Sequence, residues 1–117
     1  MIYIQKYCAI ISVIYDIVYF AVPGQVGELS LTPYSHNIIV KWKKPILNSY
    51  CVSHYVIYWV HTLSGSNNSG IVSSEEDSFV MKDLDARVAY NVLVRAMNKK
   101  NESTDYFIVF MIWVHIN

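Results

Sequence analysis

An all-β sandwich of about seven short antiparallel strands in Greek-key order is what this sequence predicts, on three observations. Strict alternation runs from Tyr90 to Met97, so that Tyr90, Val92, Val94 and Ala96 line one face of a half-buried strand. Leu84 stands six residues before Tyr90, a spacing that lets the leucine pack under a turn while the tyrosine hydroxyl reaches back to the turn backbone, as at the corner of Greek-key sandwiches. From Gln25 onward, further alternating runs recur between turn signals, and ten tyrosines with three tryptophans suit strands better than helices.

Taken in order, Leu29 to Thr32 form the first strand, and Pro33-Tyr34-Ser35-His36-Asn37 ends it. Ile38 to Lys43 form the second, with Ile38, Val40 and Trp42 inward. Pro45 to Ser53 is a loop, after which Tyr55, Ile57 and Trp59 point inward from a third strand. The stretch Ser64 to Gly70 holds only serine, asparagine and glycine; with nothing to bury, it is expected to be an exposed turn or a mobile loop. Ile71 to Ser74 then supply a short edge strand and Glu75-Glu76-Asp77 a charged loop. Phe79 and Met81 face the core from a fifth strand that leads to the Leu84 corner. After the Tyr90 strand, Lys99 to Ser103 is a loop, and the last strand lies within Thr104 to Trp113. The run from Tyr106 to Val114 is apolar on both faces, yet shorter than the ~20 residues a spanning helix needs.

The pattern L-x5-Y-x-V-x-V-x-A-x-N from Leu84 to Asn98 resembles the turn and sixth strand of a fibronectin type III domain, an immunoglobulin-like Greek-key sandwich. Ile38 to Pro45 resembles that family's second strand, with its core tryptophan and following proline, and Tyr55-Val56-Ile57-Tyr58-Trp59 resembles the third. Val22-Pro23-Gly24, with Leu29 and Leu31, resembles the entry and first strand. In the turn, the family's usual proline, glycine and threonine are replaced by Ala86, Arg87 and Val88, and the glycine expected after the sixth strand by Asn101. Asparagine tolerates the left-handed backbone that glycine would supply, so these departures bear on turn geometry rather than on the fold. The resemblance implies Trp42, Tyr55, Leu84 and Tyr90 as structural core. It also implies a non-catalytic adhesion, receptor or spacer role through other proteins or neighbouring modules of the same chain, with no cofactor.

A chain of 117 residues has room for one domain with a sizeable core, placed at residues 23–114. Residues 1–22 read differently: Lys6 precedes an apolar run that Asp16 interrupts. Such a segment half satisfies the rules for a secretory signal or anchor; the tail of a preceding repeat and an extraneous leader remain open. Nine basic and nine acidic residues cancel, so no global field recruits nucleic acid, and steering falls to local patches. Cys8 and Cys51 are too few for a disulfide framework and leave the redox compartment open.

Reactive constellations are absent from the sequence. His36, His54, His61 and His115 have no zinc-ligand spacing, and no nucleophile elbow, phosphate loop or dinucleotide turn occurs. Glu75-Glu76-Asp77 lacks the spaced oxygen ligands of a calcium loop. Asn67-Asn68-Ser69 and Asn101-Glu102-Ser103 are glycosylation sequons in expected loops, making Asn67 and Asn101 candidate glycan sites in a secreted chain.

Two candidate interaction surfaces follow. Lys43, Lys44, Lys99 and Lys100 flank two loops at one pole of a sandwich and form a positive patch suited to a sulfated glycan or an acidic protein. Val56, Tyr58 and Val60 alternate outward from one strand and Leu93 from another, giving an apolar outer face of the kind that marks a contact. The expected function is an interaction or spacer module of a cell-surface or secreted protein. An intracellular structural repeat of the muscle-scaffold kind is the rival, and an accessory domain serving an enzyme outside these residues is a third.

Overall fold

The computed structural model describes residues 2–4, 8–12, 17–104 and 110–112. A three-stranded antiparallel sheet comes first: β1 (Ile2–Ile4), β2 (Ala9–Ser12) and β3 (Ile17–Phe20). The remaining strands are β4 (Gly27–Tyr34), β5 (Asn37–Lys43), β6 (His54–His61), β7 (Asn67–Ser73), β8 (Ser78–Met81), β9 (Tyr90–Met97) and β10 (Phe110–Ile112). They form two antiparallel sheets, β4-β5-β8 and β10-β9-β6-β7. The chain therefore changes sheet at the β5–β6, β7–β8 and β8–β9 connections, which is the Greek-key order the sequence predicts. A 3-10 turn, Ser49–Cys51, lies in the β5–β6 loop.

Alternation carries the core. On β5, Ile38 and Val40 are fully buried and Trp42 nearly so, and on β6, Tyr55 and Ile57 are fully buried. Tyr90, Val92, Val94 and Ala96 from β9 and Met81 from β8 complete the cluster, with Leu84 and Val88 at its end. Trp42 packs on Tyr55 at 5.2 Å between ring centres, and Trp59 on Phe79 at 5.6 Å. The Trp42 indole N–H approaches the Tyr55 hydroxyl without reaching full hydrogen-bond geometry. Burial pushes the Tyr55 hydroxyl above its usual pKa of 10.0, and the nearby indole only partly offsets this.

The corner closes as its spacing predicts. The Asp85 amide donates to the Tyr90 hydroxyl at 2.7 Å, and the Leu84 amide donates to the His36 carbonyl at 2.8 Å. Arg87, standing where the family has glycine, takes φ 61°, and Asn101 takes φ 58°. Turn geometry is thus kept in both places without glycine, comfortably by asparagine and at a conformational cost by arginine.

Two expectations are corrected, and the cysteine pairing that the sequence leaves open is fixed. Ser64 to Gly70 is not all loop: the turn ends at Ser66, whose carbonyl accepts from the His61 amide at 2.9 Å, and Asn67–Gly70 belong to β7. An edge strand is held by backbone pairing to β6, which asks nothing of its side chains. Cys8 and Cys51 are joined in a disulfide, with Cα atoms 5.0 Å apart. Val56, though outward, is only 7% exposed, because it lies between Arg95 and Ile71 across the sheet. The last strand is described only at Phe110–Ile112, where it pairs with Tyr90–Val92; the rest of the expected span beyond Thr104 lies outside the described residues.

Candidate interaction surface

Register decides which outward side chains meet. Tyr58 on β6 stands directly opposite Leu93 on β9 and Ser69 on β7; Val56 stands opposite Arg95 and Ile71, and Val60 opposite Asn91 and Asn67. These residues form one contiguous outer face. Arg95 lies over the Tyr58 ring at 5.6 Å, a cation–π contact that holds the ring across the strands. Ile71 is 69% exposed and extends the apolar surface to the sheet edge, while Tyr58 and Leu93, on the two central strands, are partly open. Reading the sequence missed Ile71 as a member of this face, since its strand was placed without a register. Its pairing opposite Val56 assigns it, since Ile71 and Val72 are both apolar and the sequence does not say which of them faces out.

At the lysine pole the chain itself intervenes. The Gly24 amide donates to the Leu47 carbonyl at 2.9 Å, Asn48 Nδ2 to the Val22 carbonyl at 3.0 Å, and Asn98 Nδ2 to the Ala21 carbonyl at 3.2 Å. Asn98 is 1% exposed and organises the β9–β10 turn: its Oδ1 accepts from the Lys100 and Glu102 amides, both at 2.9 Å. With the Cys8–Cys51 disulfide, these bonds lay residues 21–24 against the two loops that carry the lysines. Lys43 pairs with Glu28 at 2.8 Å, so its charge is matched locally. Lys44, Lys99 and Lys100 are exposed.

The opposite pole holds the only cluster among the described residues that looks chemical. His61 Nε2 lies 2.8 Å from Asp85 Oδ2, its Nδ1 accepts from the Ser64 amide at 3.1 Å, and its ring meets Tyr90 edge-on at 5.4 Å. The accepting Nδ1 assigns the proton to Nε2, which donates to Asp85. Both ring nitrogens are then committed to bonds that fix the β6–β7 turn to the corner, and neither is left to bind a metal or take a proton from a substrate. The shallow cleft beside it, about 350 Å³, is bordered by Trp59, Lys82 and Asp83. Among the described residues no group of three histidine, cysteine, aspartate or glutamate side chains could hold a metal ion, and no helix is long and apolar enough to cross a membrane. Asn67 and Asn101, the sequon asparagines, are both exposed.

A seven-stranded sandwich with this sheet order and a tyrosine corner is the architecture of immunoglobulin-like modules. The family model for the fibronectin type III domain matches residues 24–109, and the chain belongs to that family. The FN5 domain of Drosophila Lar superposes with a TM-score of 0.64 at 21% identity, covering 80% of this chain and 98% of that one. The fn3 domain of the human collagen alpha-1(XX) chain gives 0.63 at 20% identity, over 83% of this chain and 88% of its own. A structure described as a myokine gives 0.65 at 15% identity, over 80% and 98%. No curated protein sequence matches the chain.

Proposed function

We propose that this chain is a non-catalytic protein-interaction module of a secreted or cell-surface protein, making its contact through the outer face of β10-β9-β6-β7. The observation that carries the reading is the Tyr58–Leu93 pair, an aromatic and an aliphatic side chain set opposite each other on an outer face and continued by Ile71. Adjacent apolar groups at solvent-facing positions gain little for the free domain and a good deal on contact. The lysine pole is the weaker surface, because Glu28 matches Lys43 and residues 21–24 occupy the space between its loops. The Cys8–Cys51 disulfide supports an oxidising compartment and weighs against the intracellular repeat. It also supports residues 1–22 as a retained extension, since a chain cut after Ala21 would lose the bond. Exposed sequons at Asn67 and Asn101 fit the same compartment.

The test is capture against a panel of extracellular domains. Tyr58→Glu with Leu93→Glu abolishes capture that the native chain achieves, and that capture changes little between low and high salt, because apolar burial drives it. Lys43, Lys44, Lys99 and Lys100 changed together to Glu leave it intact. Loss of capture in the lysine variant, with a steep salt dependence, would move the site to the pole and make sulfated glycan the first ligand to try.

A further inference from the structure

The outer edge of β7 differs from the edges formed by β4 and β8. β4 carries Pro33 and a register shift between Gly27 and Ser30, and β8 is four residues long between Asp77 and Lys82. These are the devices that keep an edge from recruiting another strand. β7 has seven residues, Asn67–Ser73, with no proline and no charge, and its register to β6 is unbroken. Among the described residues no strand pairs with its outer side.

Which of its backbone groups face outward follows from one bond. The His61 amide donates to the Ser66 carbonyl, so residues 61 and 66 form a hydrogen-bonded pair. In an antiparallel ladder such pairs recur at every second residue, which directs the backbone of Asn68, Gly70 and Val72 at β6. Asn67, Ser69, Ile71 and Ser73 therefore face the free edge; Ser73 already gives its carbonyl to the Glu76 amide at 3.1 Å, which leaves Asn67, Ser69 and Ile71 with both N–H and C=O turned outward. The β6–β9 ladder agrees: the Thr62 amide donates to the Ala89 carbonyl, placing the even-numbered residues of β6 toward β9 and the odd-numbered toward β7.

We propose that β7 pairs with β7 of a second copy of this chain, antiparallel and centred on Ser69. In that register Asn67 of one copy exchanges backbone bonds with Ile71 of the other, Ser69 with Ser69, and the two outer faces join into one continuous sheet. The three residues with both backbone groups open are symmetric about Ser69, so one two-fold axis satisfies them in both copies. Charge favours this direction. Antiparallel pairing sets the acidic loop Glu75-Glu76-Asp77 of each copy beside the uncharged turn Thr62 to Ser66 of the other, whereas parallel addition would bring the two acidic loops together. The apolar Ile71, 69% exposed in the single chain, is covered by the second copy.

The experiment is sedimentation velocity on the full chain with its disulfide intact and without glycan, from micromolar to ~1 mM, a range that reveals even a weak dimer. A monomer–dimer equilibrium is expected, and amide exchange at Asn67, Ser69 and Ile71 slows as concentration rises, while Asn68, Gly70 and Val72 stay protected throughout. Ser69→Pro removes an outward N–H without touching the β6 ladder, and Ile71→Lys places a charge at the pairing edge; each weakens the dimer by about tenfold or more. Should Ser69→Pro fail to fold, Ile71→Lys carries the test. A chain monomeric to ~1 mM overturns the proposal. So does a dimer whose Asn67, Ser69 and Ile71 amides exchange freely, or one lost on changing Tyr58 and Leu93 but indifferent to Ile71→Lys.

Discussion

The two sheets of this sandwich share an inner pattern and differ in their outer faces. On β4-β5-β8 the outward positions run Ser30, Thr32, Tyr34 on one strand and Asn37, Ile39, Lys41, Lys43 on the next, with Ser78 and Val80 beside them. Polar and charged groups predominate there around one apolar pair, Ile39 opposite Val80, with Tyr34 exposed at the strand end. On β10-β9-β6-β7 the outward positions bring Val56, Tyr58, Val60, Leu93 and Ile71 together, and the one cation among them, Arg95, lies over Tyr58. Burial holds the fold from both sheets alike. The second sheet gathers outward apolar groups from three adjacent strands where the first has one opposed pair, and the proposed contact rests on that contrast.

The largest effect should come from the shared interior. Trp42→Ala removes an aromatic 4% exposed against Tyr55 and should cost about 3 to 5 kcal/mol by cavity and transfer terms, read from denaturant unfolding. The outward pair Tyr58→Glu with Leu93→Glu should cost about 1 kcal/mol or less in the same assay. Comparable costs for the two would erase the distinction between inner and outer faces.

Gly70 sharpens the comparison at the edge. Its backbone lies under the Phe79 ring, where an added methyl group would overlap ring atoms. Gly70→Ala should therefore cost about 1 to 3 kcal/mol through overpacking, with Phe79→Leu restoring part of the loss. A neutral Gly70→Ala would mean that the Phe79 ring is free to shift away from Trp59.

Tyr90→Phe deprives the Asp85 amide of its acceptor and should cost about 1 to 2 kcal/mol. Its hydroxyl, like that of Tyr55, is held above 10.0, chiefly by burial; for Tyr90 the Asp85 carboxylate adds to the rise while the Asp85 amide opposes it. A raised folded value stabilises fully below pH 10.0, where neither state ionises, and that contribution is lost as pH climbs through the folded values. Stability measured against pH should thus fall on the alkaline side of 10.0, and less steeply in Tyr90→Phe. The smallest effect belongs to Arg87→Gly, which relieves a left-handed arginine and should raise stability by about 0.5 kcal/mol, the gain being partly offset by the freedom glycine gives the unfolded chain.

Much of this molecule was legible in the sequence because period-two alternation is a direct record of which side of a strand is buried. Trp42, Tyr55 and Tyr90 are placed inward by that rule, and the Leu84–Tyr90 spacing marks the corner bond. What escaped has physical reasons. Asn67 to Gly70 carry no apolar alternation, because an exposed edge strand is held by backbone bonds that leave no mark on side-chain choice. The Cys8–Cys51 pair joins residues 43 apart in sequence, and its proximity exists only once the entry segment is laid against the β5–β6 loop. Asn98 ends a recognisable motif, yet its part as the buried hub of a turn depends on Ala21, a residue 77 positions away.

Side-chain footprinting by hydroxyl radicals, free and in the captured complex, tests the outer-face contact most directly. Tyr58, Leu93 and Ile71 should lose reactivity together on binding while Ile39, Val80 and Tyr34 on the opposite sheet keep theirs. Protection of Ile39 and Val80, or of neither set with capture intact, would contradict the assignment of contact to β10-β9-β6-β7.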